Sequence, residues 1–314
     1  MTHYVDLENL KVFWESAIIT IGKLEGLHLG HQEIFRQMMK KKKEKGQALV
    51  VIFTTNFARK KEAQIYTTKE RLVLLEHLGI DCAIDLTKSE GWRDWRAGYF
   101  LEEILCKQLK MKEMVIGDDF HFGYQKEGDA DFLKNAQQRL NYCVQILQKI
   151  RIDEEEVSSS RIYQLIQKGR MEEVARQLGF FFFIKGRVVL GNQIGRTIGV
   201  PTINLLPPKK KLLPPLGVYT SKIRLGEEDY FGITNVGIKP TVQEQPIIGV
   251  EMHIFDFAGD LYGACVKVEI LSFIRAERKF SSFEELVKQM KEDIKNAKDI
   301  VEKLKKQENL EKEL

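Results

Sequence analysis

Two short stretches carry residues able to do chemistry. GLHLGH (26–31) sets His28 and His31 three residues apart, on one face of a helix that would begin there. Gly26 and Gly30 let a ligand approach the backbone, and a helix N-terminus favours an anion. Two imidazoles beside a phosphate can stabilise the charge that develops when a nucleophilic oxygen displaces pyrophosphate. GRTIGVPTIN (195–204) is of another kind, neither a GxxxxGK(S/T) loop nor a GxGxxG turn. Gly195 and Gly199 allow a flap whose backbone can lie against phosphates, and Arg196 adds positive charge. Thr202 and Asn204 alternate on an extended segment behind Pro201, so they face the same way. A hydroxyl and an amide oxygen are hard ligands suited to Mg²⁺ with ATP. The spacing alone also admits a tight structural turn.

The elements around these stretches divide the chain in two. Up to residue 118 strand and helix alternate: AIITIG (17–22), a helix from Gly30, ALVVIFT (48–54), KERLVLLEHLGI (69–80), CAIDLT (82–87), GYFLEEILCKQLKM (98–111) and EMVIGD (113–118). Unbroken apolar, β-branched runs are buried strands, and the alternation predicts a parallel sheet covered on both faces. Ligands in such sheets sit beyond the carboxyl ends of the strands, which directs attention to the turns after 22, 54 and 118. After a helical stretch at 160–179, five β-rich segments follow without intervening helices, the pattern of an antiparallel sheet or small barrel. A last helix starts near FSSFEEL, with Ser281 or Ser282 as N-cap and Glu284 or Glu285 placed for a capping box. The boundary is expected near 180, giving domains 1–180 and 181–314.

Composition bounds the rest. The 314 residues are 43 % hydrophobic and 30 % charged, a globular balance. No apolar run approaches the ~20 residues of a spanning helix. The start lacks the layout of a signal peptide, so a cytoplasmic location is the expectation. Cys82, Cys106, Cys143 and Cys265 are scattered and read as reduced thiols. Net charge is +4, and the lysine runs at 40–46 and 207–211 read as solvated faces rather than a nucleic-acid footprint. No membrane, nucleic-acid or obligate protein partner is expected.

The first stretch resembles the HxGH motif of nucleotidyltransferases and, more narrowly, bacterial FAD synthetases, the bifunctional riboflavin kinase/FMN adenylyltransferase family. GDDFHFGYQKEGD (117–129) resembles that family's G-D-x-F-R-F-G segment, with His121 where arginine is usual. VSSSRIYQLIQKG (157–169) resembles its I-S-S-T-R-I helix start. By resemblance Ser158, Ser159 and Arg161 would contact nucleotide phosphates, a task that suits hydroxyls and N–H groups at a helix start. Two turns depart from the pattern: Lys23, Leu24 and Glu25 replace x-F-D before Gly26, and Thr54, Thr55, Asn56 and Phe57 replace (D/E)-P-H-P.

GRTIGVPTIN in turn resembles the G-R-x-L-G-(F/Y)-P-T-A-N signature of riboflavin kinases. Similarity continues through LPPLGVY, TNVGIKPT, VEMHIFDFAGDLYG and RAERKF, over essentially all of 181–293. It implies a six-stranded-barrel kinase domain with a C-terminal helix behind a Rossmann-like α/β domain. It also implies Thr202 and Asn204 as Mg²⁺ ligands, and Glu251 as base for the ribityl 5′-hydroxyl. Glu251 also fits an exposed strand glutamate or a lysine's partner. His253, two residues on, would contact substrate or pack, and Arg275 and Phe280 lie where a segment would close on the flavin. The expected activity is riboflavin to FMN to FAD with ATP. The altered turns keep open a riboflavin kinase whose first half has lost catalysis. The basic charge leaves a flavin-sensing or nucleic-acid-binding regulator as a third, weaker reading.

Overall fold

The apolar run at 17–22 becomes the central strand of a parallel sheet. The structure, a computed structural model, describes residues 1–42, 46–54, 63–191, 200–239 and 247–313. The chain forms two compact units: Met1–Glu62 with Tyr66–Ser159, and Ala63–Ile65 with Ser160–Leu314.

In the first unit the described elements are β1 (Thr2–Tyr4), β2 (Ser16–Gly22), α1 (Leu29–Lys41), β3 (Gln47–Phe53), α2 (Thr68–His77) and β4 (Cys82–Asp85). Then come α3 (Ala97–Tyr99, continuing as a π-helix over Phe100–Gln108), β5 (Met111–Gly117), α4 (Ala130–Leu140) and β6 (Cys143–Leu147). A small hairpin of β7 (Arg151–Ile152) and β8 (Glu155–Glu156) follows. The six sheet strands run parallel in the order β1-β4-β3-β2-β5-β6. Alternate residues serve opposite cores, as a doubly covered sheet requires. Ile19, Val50, Ile84 and Met114 pack with Leu101 and Leu105 of the π-helix that continues α3 and with Leu133 of α4. Ile18, Leu49, Val51 and Val115 pack with Phe35 and Met38 of α1 and Leu75 of α2. β3 and β4 lie on one side of β2, β5 and β6 on the other, so the order reverses at β2/β5. That reversal opens a crevice beyond the carboxyl ends of those two strands.

The second unit contains α5 (Ser159–Gln167), which begins at the last residue of the first unit, and α6 (Met171–Leu178). Six antiparallel strands follow: β9 (Phe183–Val189), β10 (Ile203–Leu206), β11 (Gly217–Leu225), β12 (Glu228–Lys239), β13 (Ile247–Ile254) and β14 (Cys265–Ala276). They close as a barrel in the order β10-β13-β12-β11-β14-β9. Leu205, Tyr219, Thr234, Val250, Met252 and Ile270, all buried, alternate with residues of the outer face. On that outer face α7 (Phe283–Glu313) packs Ala297 against Val218, Ile233 and Phe255. Ser282 Oγ accepts the Glu285 N–H at 3.2 Å while Glu285 Oε2 accepts the Ser281 N–H at 3.0 Å, a shifted capping box. One lysine of the second basic run is not solvated as expected. Lys211 is 4 % exposed. Its Nζ donates to the Ile65 carbonyl at 2.8 Å and lies over the Phe182 and Phe183 rings, which together offset its desolvation.

Candidate active sites

The first site stands in the β2/β5 crevice. β2 ends at Gly22, and a tight turn leads to His28, the N-cap of α1. The two imidazoles stack, with ring centroids 3.8 Å apart. His28 is 8 % exposed, and the Nδ1 atoms of both rings are buried without a hydrogen-bond partner. Burial lowers the His28 pKa to about 4, against the opposing pull of Asp119 from the turn after β5. Burial, then the neighbouring imidazole, holds His31 well below its ordinary value. Both rings are therefore neutral at pH 7, with ring N–H groups to donate. Gly30 is fixed by the same packing, since a Cβ there would stand 3.2 Å from His28 Nδ1 and 3.3 Å from its Cε1.

The other residues expected here are placed by local structure. Gly26 is buried within the turn. Ser158 directly precedes α5 and Ser159 opens it, with Arg161 in its first turn, where the chain passes from one unit to the next. Thr54 directly follows β3, whereas Thr55, Asn56 and Phe57 lie outside the described residues. Two participants were not foreseen. Asp119 is carried by the glycine-flanked segment after β5, a place the parallel-sheet rule had marked. Arg71 of α2 points under the turn, and nothing in a charged helical sequence distinguishes it from a solvated arginine.

The second site lies on the outer face of the barrel. Asn204 of β10 stands directly opposite Glu251 of β13, and Glu251 directly opposite Asn235 of β12. Register partners in an antiparallel pair share a face, so three polar side chains from three strands form one row. Asn235 was passed over within a segment whose resemblance had been noted. Asn204 is 4 % exposed and closely enclosed: a Cβ on Gly191 would fall 2.2 Å from its Nδ2 and 2.7 Å from its Oδ1. Thr202 lines a cleft of about 190 Å³ together with Pro201, Ile203, Phe257, Asp260 and Tyr262. His253 joins the two features, its Nδ1 donating to the Pro201 carbonyl at 2.8 Å. Gly195, Arg196 and Gly199 lie outside the described residues.

Arg275 is engaged within the protein on every edge. Its Nε and Nη2 donate to Asp293 of α7 at 2.9 and 2.7 Å, and its Nη1 to the Ala276 carbonyl at 3.1 Å. Asp293 is 1 % exposed and also accepts from Gln289. Phe280 lies beneath two guanidinium groups, 5.7 Å from that of Arg275 and 4.7 Å from that of Arg278. A divalent cation fits the donor set at the barrel. Asn204 and Thr202 offer neutral hard oxygens, and the cross-strand Glu251 supplies a nearby carboxylate.

Two family models match this chain. The FAD synthetase family model matches residues 10–161, and the riboflavin kinase model matches residues 178–301. A bifunctional riboflavin kinase/FMN adenylyltransferase from Haemophilus influenzae is 31 % identical over 299 residues, covering 93 % of this chain and 96 % of its own. That of Buchnera aphidicola is 33 % identical over 298 residues, covering 92 % and 94 %. Among solved structures, one described as a macrolide-efflux protein from Streptococcus pneumoniae is 30 % identical, with a TM-score of 0.81 over 93 % of this chain and 96 % of that one. Among the described residues of this chain, no helix is long and apolar enough to cross a membrane.

Proposed function

The chain belongs to the family of bifunctional riboflavin kinases and FMN adenylyltransferases, ATP-dependent enzymes that make FMN and then FAD, and we propose which of its residues perform each step. Adenylylation is assigned to residues 1–180 and phosphorylation to 181–314. The cation is assigned as Mg²⁺ and the compartment as the cytoplasm.

In the barrel, Glu251 takes the proton of the ribityl 5′-hydroxyl as that oxygen attacks the γ-phosphorus of ATP and ADP leaves. Thr202 and Asn204 would hold Mg²⁺, which when bound neutralises charge on the phosphates. His253 fixes the Pro201 carbonyl and with it the approach to Thr202. Gly195, Arg196 and Gly199 serve the phosphates, and the segment of Arg275 and Phe280 closes over the flavin. The row of Asn204 and Glu251 carries this reading, because it sets a metal-type oxygen directly beside a base.

In the first unit, a phosphate oxygen of FMN attacks the α-phosphorus of ATP, and the bond to pyrophosphate breaks. His28 and His31, neutral in the free protein, donate hydrogen bonds to the oxygens on which charge accumulates. Gly26 and Gly30 leave room for the phosphates, and Ser158, Ser159 and Arg161 bind them. Incubating the purified protein with Mg-ATP and either riboflavin or FMN, then separating the products, tests both halves. FMN and FAD are expected. FMN without FAD would make this chain a riboflavin kinase alone, with its first unit inactive behind the altered turns.

A further inference from the structure

Arg71 is a residue the two reactions leave unexplained. It lies on α2 and is only 3 % exposed, so its charge has given up water for protein contacts. Its Nη1 donates to the Lys23 carbonyl at 2.9 Å and its Nη2 to Thr68 Oγ1 at 3.3 Å. The guanidinium carbon sits 5.1 Å from the Phe53 ring centroid, at the end of β3. Nε is buried without a hydrogen-bond partner. The carboxylates of Glu25 and Asp85 act on its charge, opposing the effect of burial.

The carbonyl that Arg71 holds belongs to a strained turn. Leu24 and Leu27 both have φ of +48°, the left-handed region that side chains with a Cβ avoid. Both are buried, at 2 % and 0 % exposure. Such a conformation persists only where the surroundings over-determine it, and it gathers at functional sites. Here the surroundings can be named. Arg71 fixes the carbonyl just before Leu24, and Gln32 Nε2 fixes the carbonyl of Leu27 at 2.9 Å. The next residue is His28.

We infer that Arg71 is a positioning residue for adenylyl transfer: its guanidinium ties the Lys23 carbonyl, through Nη1, to Thr68 of α2, through Nη2, and so holds the 23–27 turn in the form that delivers Gly26, His28 and His31 to the head of α1. The inference rests on reading the first unit as the adenylylation site. A clamp also accounts for how a turn with Lys23, Leu24 and Glu25 in place of the family's residues can keep its shape.

The test uses the full chain, with FMN formation from riboflavin as an internal control. Arg71→Met should lower kcat for FAD formation by about 10²-fold, the scale of an ångström-sized misplacement, and leave FMN formation unchanged. Amide exchange should quicken over residues 23–28 and stay slow in β2, β3 and β5. If Arg71 instead touches the phosphates, KM for ATP rises while exchange over residues 23–28 stays slow. If it only fills the core, exchange quickens across the whole sheet. Either result overturns the inference. Should Arg71→Met fail to fold, Arg71→Lys keeps the charge without the fork, and the same local exchange and loss of FAD are expected. A wild-type protein that makes FMN but no FAD would refute the adenylylation reading, while the exchange profile would still judge the clamp.

Discussion

The imidazoles of His28 and His31 are stacked 3.8 Å apart with their planes 23° from parallel, and both are uncharged at neutral pH. Burial disfavours a proton on either ring, and two cations at that spacing would repel, so the pair rests neutral with ring N–H groups to donate.

This geometry predicts a pH dependence of stability. An unfolded histidine titrates near 6.5, whereas burial holds His28 at about 4 in the folded chain. Between those values the unfolded chain binds a proton that the folded chain refuses. Stability therefore falls as pH drops from 6.5 towards 4 and is level above that window. The His28 shift is worth at most about 3 kcal/mol. Trp14, Trp92 and Trp95 all lie in the first unit, so tryptophan fluorescence follows that unit alone. Its urea midpoint should fall between pH 7 and pH 4.5, and His28→Gln should flatten the fall. A midpoint that is level or rising on acidification would contradict the buried neutral pair.

Gly191 tests the proposed metal site through its packing against Asn204. A methyl at that position would stand 2.4 Å from Asn204 Cγ, so the amide must rotate or the chain ends must part. Gly191→Ala and Asn204→Ala should therefore impair the kinase alike, by raising KM for Mg-ATP, and extra Mg²⁺ should partly restore both. Thr202→Ala should behave the same way. FAD formation from supplied FMN should be unaffected in all three. Wild-type kinase activity for Gly191→Ala at low Mg²⁺ would separate Asn204 from the metal.

What the sequence revealed and what it hid follow from distance along the chain. ALVVIFT declares a buried strand because both of its faces must be apolar, and HLGH declares its pair because three residues suffice to align two side chains. β1 is three residues at a sheet edge, too short for periodicity to mark. The i→i+5 bonding that makes Phe100–Gln108 a π-helix buries Phe100, Leu101, Ile104 and Leu105, an i, i+1, i+4, i+5 spacing that an α-helix would also show. The Asn204–Glu251 pairing depends on the register of strands 47 residues apart in number, which no local pattern contains. Arg71 is buried only because β3 and the 23–27 turn close over it, and Lys211 only because Ile65 and two phenylalanines meet it.

The ion pair of Arg275 and Asp293 predicts a stability asymmetry. Asp293 is 1 % exposed and accepts from both Arg275 and Gln289. Arg275→Met leaves a buried carboxylate short of its counter-charge and should destabilise the second unit by about 3–5 kcal/mol. Arg275→Met with Asp293→Leu removes both charges and should cost distinctly less than the single change. Calorimetry of the full chain reads this as a smaller downward shift of the second unit's transition. If the double variant is the less stable of the two, the pair contributes net attraction beyond its desolvation.

Glu251→Gln is the sharpest test of the kinase. Its backbone pairs Asn204 on one side and Asn235 on the other, so the barrel register does not depend on the side chain's charge. Glutamine keeps the shape and one acceptor oxygen but takes no proton at neutral pH. A positioned base contributes ~10²–10⁴ in rate, and a fall in riboflavin phosphorylation within that range is expected. The loss should appear equally in kcat and kcat/KM, because the proton moves only on the way to the transition state. Affinity for ATP and unfolding midpoints should stay near those of the wild type. A strand glutamate with no part in the chemistry would change stability by less than about 0.5 kcal/mol and leave turnover alone. Turnover within about threefold of wild type, far below the range for a base, would remove Glu251 from the mechanism and return the row's function to Asn204 and Asn235.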